Sequence, residues 1–179
     1  MANILKSELA FTGHRVNVKR KFMCFDDGHR ETWDFIEMGE GVAVIPVDED
    51  GFVYMLEEYA LAEEVQMLMP AKGMVDADKT PEMAASRELK EEMGLMASTF
   101  TKLGTFYAMP SYSNAKTTVY LAQGIQQCDR AGGDEHHAMD VAYMPFLEAI
   151  QMLEHGRVKS GLTANALLLA KLHIDKSKK

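Results

Sequence analysis

What this sequence has little of limits what it can be. Cysteine occurs twice in 179 residues, at Cys24 and Cys128. So distant a pair supplies neither a disulfide framework nor the close thiol spacing of a structural zinc knuckle, and it points to a reducing, cytoplasmic setting. No apolar run reaches the length of about 18 residues that a membrane span requires. The opening MANILKSELAFTGHR has no apolar stretch running into small residues, so no secretory signal is expected. Positive charge is also short. Nineteen Lys and Arg against 27 Asp and Glu leave a net charge of -8, which argues against broad binding to nucleic acid or to an anionic membrane. A small phosphorylated substrate stays compatible with that balance, because a bound divalent cation reverses the local sign. The basic clusters are VKRK near the start and KSKK at the end, the latter a solvated tail. Internal repeats, low-complexity tracts and linkers are absent.

What is present is an ordinary globular composition, 47% apolar and 26% charged, in a chain long enough for one sizeable core and short for two. Residues 15 to 37, from Arg15 to Glu37, alternate on either side of DDGHR and predict a β-hairpin. GVAVIPV is a buried strand, followed by the turn DEDG and a partner strand, FVYMLEEYA; QMLMPAK predicts one short strand leading into Gly73. Thr80-Pro81 is a helix start, with a hydroxyl at the N-cap and proline at the first helical position. Gly94 stands where a left-handed stop belongs. The helix between them, about 81 to 93, places Ala85, Leu89 and Met93 on its core stripe. Strands are expected at FTKLGTFYAM, TTVYLAQGI and DVAYMPF, and helices at PFLEAIQMLEHG and LTANALLLAKLHI.

The unusual feature of the central helix is its acidity. Glu88 precedes Glu91 by three residues and Glu92 by four, so all three share a face. Glu91 and Glu92 also sit in the last turn, where the negative end of the helix dipole opposes each by about 0.3–1 kcal/mol. Arg87 offsets part of this through its i,i+4 relation to Glu91. Hard cations such as Mg²⁺ prefer carboxylate oxygens and would turn the local repulsion into a binding site. Spacing alone leaves two readings open, a metal site and a solvated acidic face.

Gly73, thirteen intervening residues, and then RELKEEMGL resemble the Nudix box, the signature of hydrolases that cleave nucleoside diphosphates linked to another group. Gly73, Arg87, Glu88, Leu89, Glu91, Glu92, Gly94 and Leu95 all fall in register. The departure is Lys79, where the family has a glutamate. The resemblance implies an α/β fold, a Nudix-type α/β/α sandwich with a mixed sheet. An N-terminal β-hairpin sheet for dimerisation would span residues 1–40, and the hydrolase domain residues 41–179. It implies that Glu88 and Glu92, helped by Glu91, hold Mg²⁺ or Mn²⁺, with the backbone carbonyl of Lys72 as a further ligand. Arg87 would orient the glutamates. Lys79 is then an exposed loop lysine, a partner of Glu82 or a helix carboxylate, or a cation that competes with the metal and leaves only a nucleotide-binding module.

Beyond the box, Pro110 lies fifteen residues after Leu95, within PSYSNAK. The offset is similar to that of ADP-ribose pyrophosphatases, and the loop resembles that of bacterial ADP-compounds hydrolases. EEYA is similar to that group's REYA, with Glu57 in place of the arginine. Pro110, Ser111, Tyr112 and Lys116 are thereby candidates for substrate contact, where the residues alone describe a surface loop whose lysine can meet a phosphate. In DRAGGDEHHAMD the resemblance makes Glu135, with Asp134 behind it, the candidate base or further metal ligand. His136 and His137 are adjacent and lack partners at zinc spacing, so they read as loop histidines. Trp33, Phe22 and Phe25 fit either interface and base-stacking positions or core positions of alternating strands. The expected partners are a small nucleoside diphosphate derivative and a second copy of the chain, with neither nucleic acid nor membrane.

Overall fold

The computed structural model describes residues 1–14, 16–130 and 140–177. The chain falls into two compact units, Met1–Glu40 with Phe106–Lys116, and Gly41–Thr105 with Thr117–Lys179. The first unit opens with β1 (Ala2–Thr12), followed by β2 (Asn17–Phe25) and β3 (Arg30–Glu37). The expected hairpin is β2–β3, antiparallel from Asn17 opposite Glu37 to Cys24 opposite Arg30. Its turn closes through Gly28 at a φ of 84°, a conformation that glycine adopts without a Cβ clash. β1 was not anticipated, because Ile4, Leu5, Leu9 and Phe11 do not alternate cleanly with the polar residues around them. It pairs with β2 and completes a sheet ordered β1-β2-β3. In the same unit the loop after Phe106 is fastened to the end of β3. The Ile36 amide donates to the Tyr112 carbonyl at 2.7 Å, and the Met38 amide donates to Asn114 Oδ1 at 2.8 Å.

The second unit holds β4 (Glu40–Pro46), β5 (Phe52–Ala60), β6 (Val65–Met69), β7 (Ala71–Met74), α1 (Pro81–Met93), β8 (Leu95–Tyr107), β9 (Lys116–Gln127), β10 (Asp140–Pro145), α2 (Phe146–Glu154) and α3 (Gly161–Ser177), three of which begin or end in the first unit. Its strands form two sheets, β7-β4-β9-β8 and β10-β5-β6. Two strand expectations need correction. β5 is not the ladder partner of β4: Val47, just past the end of β4, makes an isolated bridge to Val53, and the two strands belong to different sheets. Both segments are apolar enough to be buried, with Val42–Ile45 and Val53, Met55 and Leu56 at or near zero exposure, so each serves as an interior strand of its own sheet. QMLMPAK, in turn, is two strands. Pro70 has no N–H to continue a ladder, and the chain changes sheets there.

α1 has the expected bounds. Thr80 Oγ1 accepts the Met83 amide at 3.2 Å, Pro81 opens the helix, and Gly94 closes it in the left-handed region at φ 65°. Ala84, Ala85, Leu89 and Met93 are buried against Val42, Val44, Leu56, Ala71 and Tyr120 in one core cluster. The helix packs on β7 and β5, whereas α2 and α3 pack on each other and on the β10-β5-β6 sheet. Because the Thr80 cap satisfies an otherwise orphan helix donor, Thr80→Ala is expected to lower stability by about 1 kcal/mol. Urea denaturation measures this, and an unchanged midpoint would refute the cap's contribution. Among the described residues no helix is long and apolar enough to cross a membrane.

Candidate active site

β7 is an edge strand of its sheet, and its outer edge is where the acidic helix docks. In a strand, residues two apart turn their backbone groups to the same side. The Lys72 amide donates to Glu92 Oε2 at 2.8 Å, and the Met74 carbonyl accepts from Arg87 Nη2 at 3.0 Å. Side chains of α1 therefore satisfy the polar groups that the sheet leaves unpaired. By the same alternation the Lys72 carbonyl lies on that edge too.

Gly73 sits between these two residues. A Cβ built there would come within 1.8 Å of Glu88 Oε1 and 2.1 Å of its Cδ. The glycine of the motif is thus required by the carboxylate itself, which lies directly on the strand backbone. Glu88 and Glu92 are 7% and 5% exposed, the charged residues buried among those described. Arg87 joins the cluster from the helix: Nη2 lies 2.7 Å from Glu88 Oε1 and Nη1 lies 2.8 Å from Glu91 Oε2. Asp76 stands farther off, 3.9 Å from Nε. Burial works against the charge of Arg87, but Glu88, Glu91 and Asp76 outweigh it and hold its pKa above the ordinary arginine value.

The structure therefore brings together Lys72, Arg87, Glu88, Glu91 and Glu92. Among the described residues no three acidic, histidine or cysteine side chains converge as a ready-made metal cage. Glu88 and Glu91 are turned to Arg87, and Glu92 to the Lys72 amide. The donor set still suits a hard divalent cation, since carboxylate and carbonyl oxygens are what Mg²⁺ and Mn²⁺ take. Sequence reasoning passed over Asp76 and Glu58. The Lys72 ammonium pairs with Glu58 of β5, and these side chains are 24% and 28% exposed. The only sequence signal was the EEYA stretch, in which Glu57 drew the attention and Glu58 makes the contact.

Lys79 forms an ion pair with its neighbour Asp78 at 3.1 Å, and its amide donates to the Asp76 carbonyl at 3.0 Å. No ion pair with Glu82 or a helix carboxylate is found for it among the described residues. Pro110, Ser111, Tyr112 and Lys116 belong to the first unit. Pro110, Ser111 and Tyr112 are exposed, and the Lys116 ammonium lies 2.9 Å from Glu40 Oε2. Asp134, Glu135, His136 and His137 lie outside the described residues.

A buried acidic helix face seated on a glycine of a sheet edge, within a mixed α/β fold, defines a class of protein that comparison identifies. The family model of the NUDIX domain matches residues 38–165, and the chain belongs to that family. An ADP-ribose pyrophosphatase of Mycobacterium tuberculosis is 27% identical over 166 residues, covering 92% of this chain and 80% of the relative. The ADP compounds hydrolase NudE of Escherichia coli is 27% identical over 170 residues, with 94% and 90% covered. The crystal structure of an ADP compounds hydrolase superposes with a TM-score of 0.90 at 26% identity, covering 98% of this chain and 95% of that one. The mixed α/β fold expected from the sequence is the fold of this family.

Proposed function

We propose that this Nudix pyrophosphohydrolase cleaves the pyrophosphate of ADP-ribose, another ADP-linked compound or a nucleotide sugar, releasing a nucleoside monophosphate and the phosphorylated remainder. The observation that carries the reading is the seating of Glu88 on Gly73 beside Glu92 and Arg87, because it gives the buried acidic face a use that a solvated face would lack. The substrate class is supported by the relatives, named for ADP-ribose and ADP compounds. Glu88, Glu91, Glu92 and the Lys72 carbonyl would hold Mg²⁺ or Mn²⁺, which when bound neutralises the pyrophosphate and activates water for attack at phosphorus. The chain's own part is to position. Arg87 ties Glu88 to Glu91 and both to β7, and the Lys72 amide fixes Glu92. The family resemblance assigns Pro110, Ser111, Tyr112 and Lys116 to substrate contact. Glu135 is assigned the role of base by the family resemblance. The reading includes a cytoplasmic setting and a homodimer; the dimer is supported by Ile4, Leu5, Leu9 and Phe11 of β1, each more than half exposed.

The test is phosphate release from ADP-ribose, NADH and a panel of nucleotide sugars with a coupled phosphatase, in Mg²⁺ or Mn²⁺. Turnover that needs the metal is expected, and its absence on every member of the panel would oppose the reading. A metal held by the folded state alone also stabilises it. At a concentration of about 100 times its dissociation constant, Mn²⁺ is expected to add about 2.7 kcal/mol, seen as a raised melting temperature. A nucleotide-binding module without turnover would need Lys79 to oppose the metal, and its pairing with Asp78 speaks against that. Lys79→Glu is accordingly expected to change kcat/KM by less than about fivefold, the scale of an exposed ion pair. A large gain of activity would restore the binding-module reading.

A further inference from the structure

We infer that Glu58 is a positioning residue for the metal-binding peptide at Lys72; the inference rests on the reading of the site above. Three constraints converge on this peptide. Its strand is paired with β4 on the inner edge, Ala43 opposite Lys72. On the outer edge its amide is taken by Glu92 at 2.8 Å. Successive side chains of a strand leave on opposite faces, so Lys72 departs on the face opposite the one where Gly73 receives Glu88. There its ammonium meets Glu58, which comes from β5 in the other sheet.

The position of this ion pair gives it its effect. The chain crosses from one sheet to the other at Pro70, where no ladder hydrogen bond can form, and Lys72 follows two residues later. The Lys72–Glu58 pair spans the two sheets just past that break. It fixes how far β7 can slide or twist against β5, and hence where the Lys72 amide and carbonyl stand relative to Glu92. Both partners are about three-quarters buried, so the pair is less exposed to solvent and salt than an ordinary surface bridge. Neither group of Glu58 needs to touch metal or substrate for this. It acts through Lys72, as outer-shell partners act through the ligands they hold.

The test compares Glu58→Gln, Glu92→Gln and the charge exchange Glu58→Lys with Lys72→Glu, each beside the parent protein. In metal-free protein, amide exchange at Lys72 is expected to be about tenfold faster in Glu58→Gln, a local opening rather than a global one, while the melting temperature falls little. The Mn²⁺ dissociation constant, read by electron paramagnetic resonance, is expected to rise about tenfold. In turnover kcat falls and KM for ADP-ribose stays within about twofold. The charge exchange is expected to recover most of the Mn²⁺ affinity and the Lys72 protection, because it leaves the Lys72 backbone in place and restores the pair in reverse. Glu58→Asp, which keeps the charge and shortens the reach, is expected to fall between. Unchanged exchange and unchanged Mn²⁺ affinity in Glu58→Gln would overturn the inference, as would a charge exchange no better than its two single changes combined. If Glu92→Gln itself keeps full Mn²⁺ affinity, the reading of the site fails; if Glu92→Gln loses it and Glu58→Gln does not, only the role of Glu58 fails.

Discussion

Glu92→Gln is expected to lower metal-dependent turnover by roughly 10²–10³-fold, the scale on which an enzyme loses rate when one stabilising group at the reacting centre is removed. It is also expected to leave the fold intact. Glu92 is 5% exposed and accepts the Lys72 amide through Oε2 at 2.8 Å. A glutamine side chain has nearly the same shape and keeps a carbonyl oxygen that can accept this hydrogen bond. What it removes is a buried negative charge on a helix face that carries two more, in the last turn, where the helix dipole adds its own opposition. The metal-free protein is therefore expected to melt at the same temperature as the parent or higher. Mn²⁺ should no longer raise that temperature. A gain of stability with a loss of turnover is the signature of a group kept for function against its local cost. A Glu92→Gln protein that hydrolyses at the parent rate would place the reaction elsewhere.

Gly73→Ala is the second large effect, and its cause is steric. The new methyl would sit 1.8 Å from Glu88 Oε1 and 2.7 Å from Oε2, distances at which one of the two must move. Glu88 has little room to yield, since it is 7% exposed and Arg87 Nη2 holds it at 2.7 Å. The expected cost is about 1–3 kcal/mol, the usual range for forcing an extra group into a packed site. Metal affinity should fall with it, because the carboxylate displaced is one of the proposed ligands. Gly161→Ala provides the control: nothing lies within 4 Å of the added Cβ there, and its stability is expected to stay within about 0.5 kcal/mol of the parent. Equal midpoints in urea for the Gly73 and Gly161 variants would contradict the steric account.

Much of the central helix could be read from local chemistry. Thr80-Pro81 and Gly94 bounded α1 because caps act on the nearest few backbone groups and need no knowledge of the rest of the fold. The periodicity placed Ala85, Leu89 and Met93 inward for the same reason. It also put Glu88, Glu91 and Glu92 on one face, and this with Gly73 was enough to reveal the family. β1 was harder, because a strand whose apolar residues stay exposed has no burial pattern to follow. Pro70 was visible as a residue that cannot donate, yet the sequence did not show that the chain would change sheets there.

By itself, then, the sequence determined the family, the bounds of the acidic helix and the register of its carboxylates, all properties of short-range spacing. Only the tertiary structure decided which of those carboxylates would be buried, that Arg87 and Glu92 would close the free edge of β7, and that Glu58 would meet Lys72 from another sheet. These depend on contacts between residues up to twenty apart along the chain, such as Lys72 with Glu92. Strand pairing and helix docking bring them together, and no local pattern encodes which side chain the fold will place opposite a given backbone group.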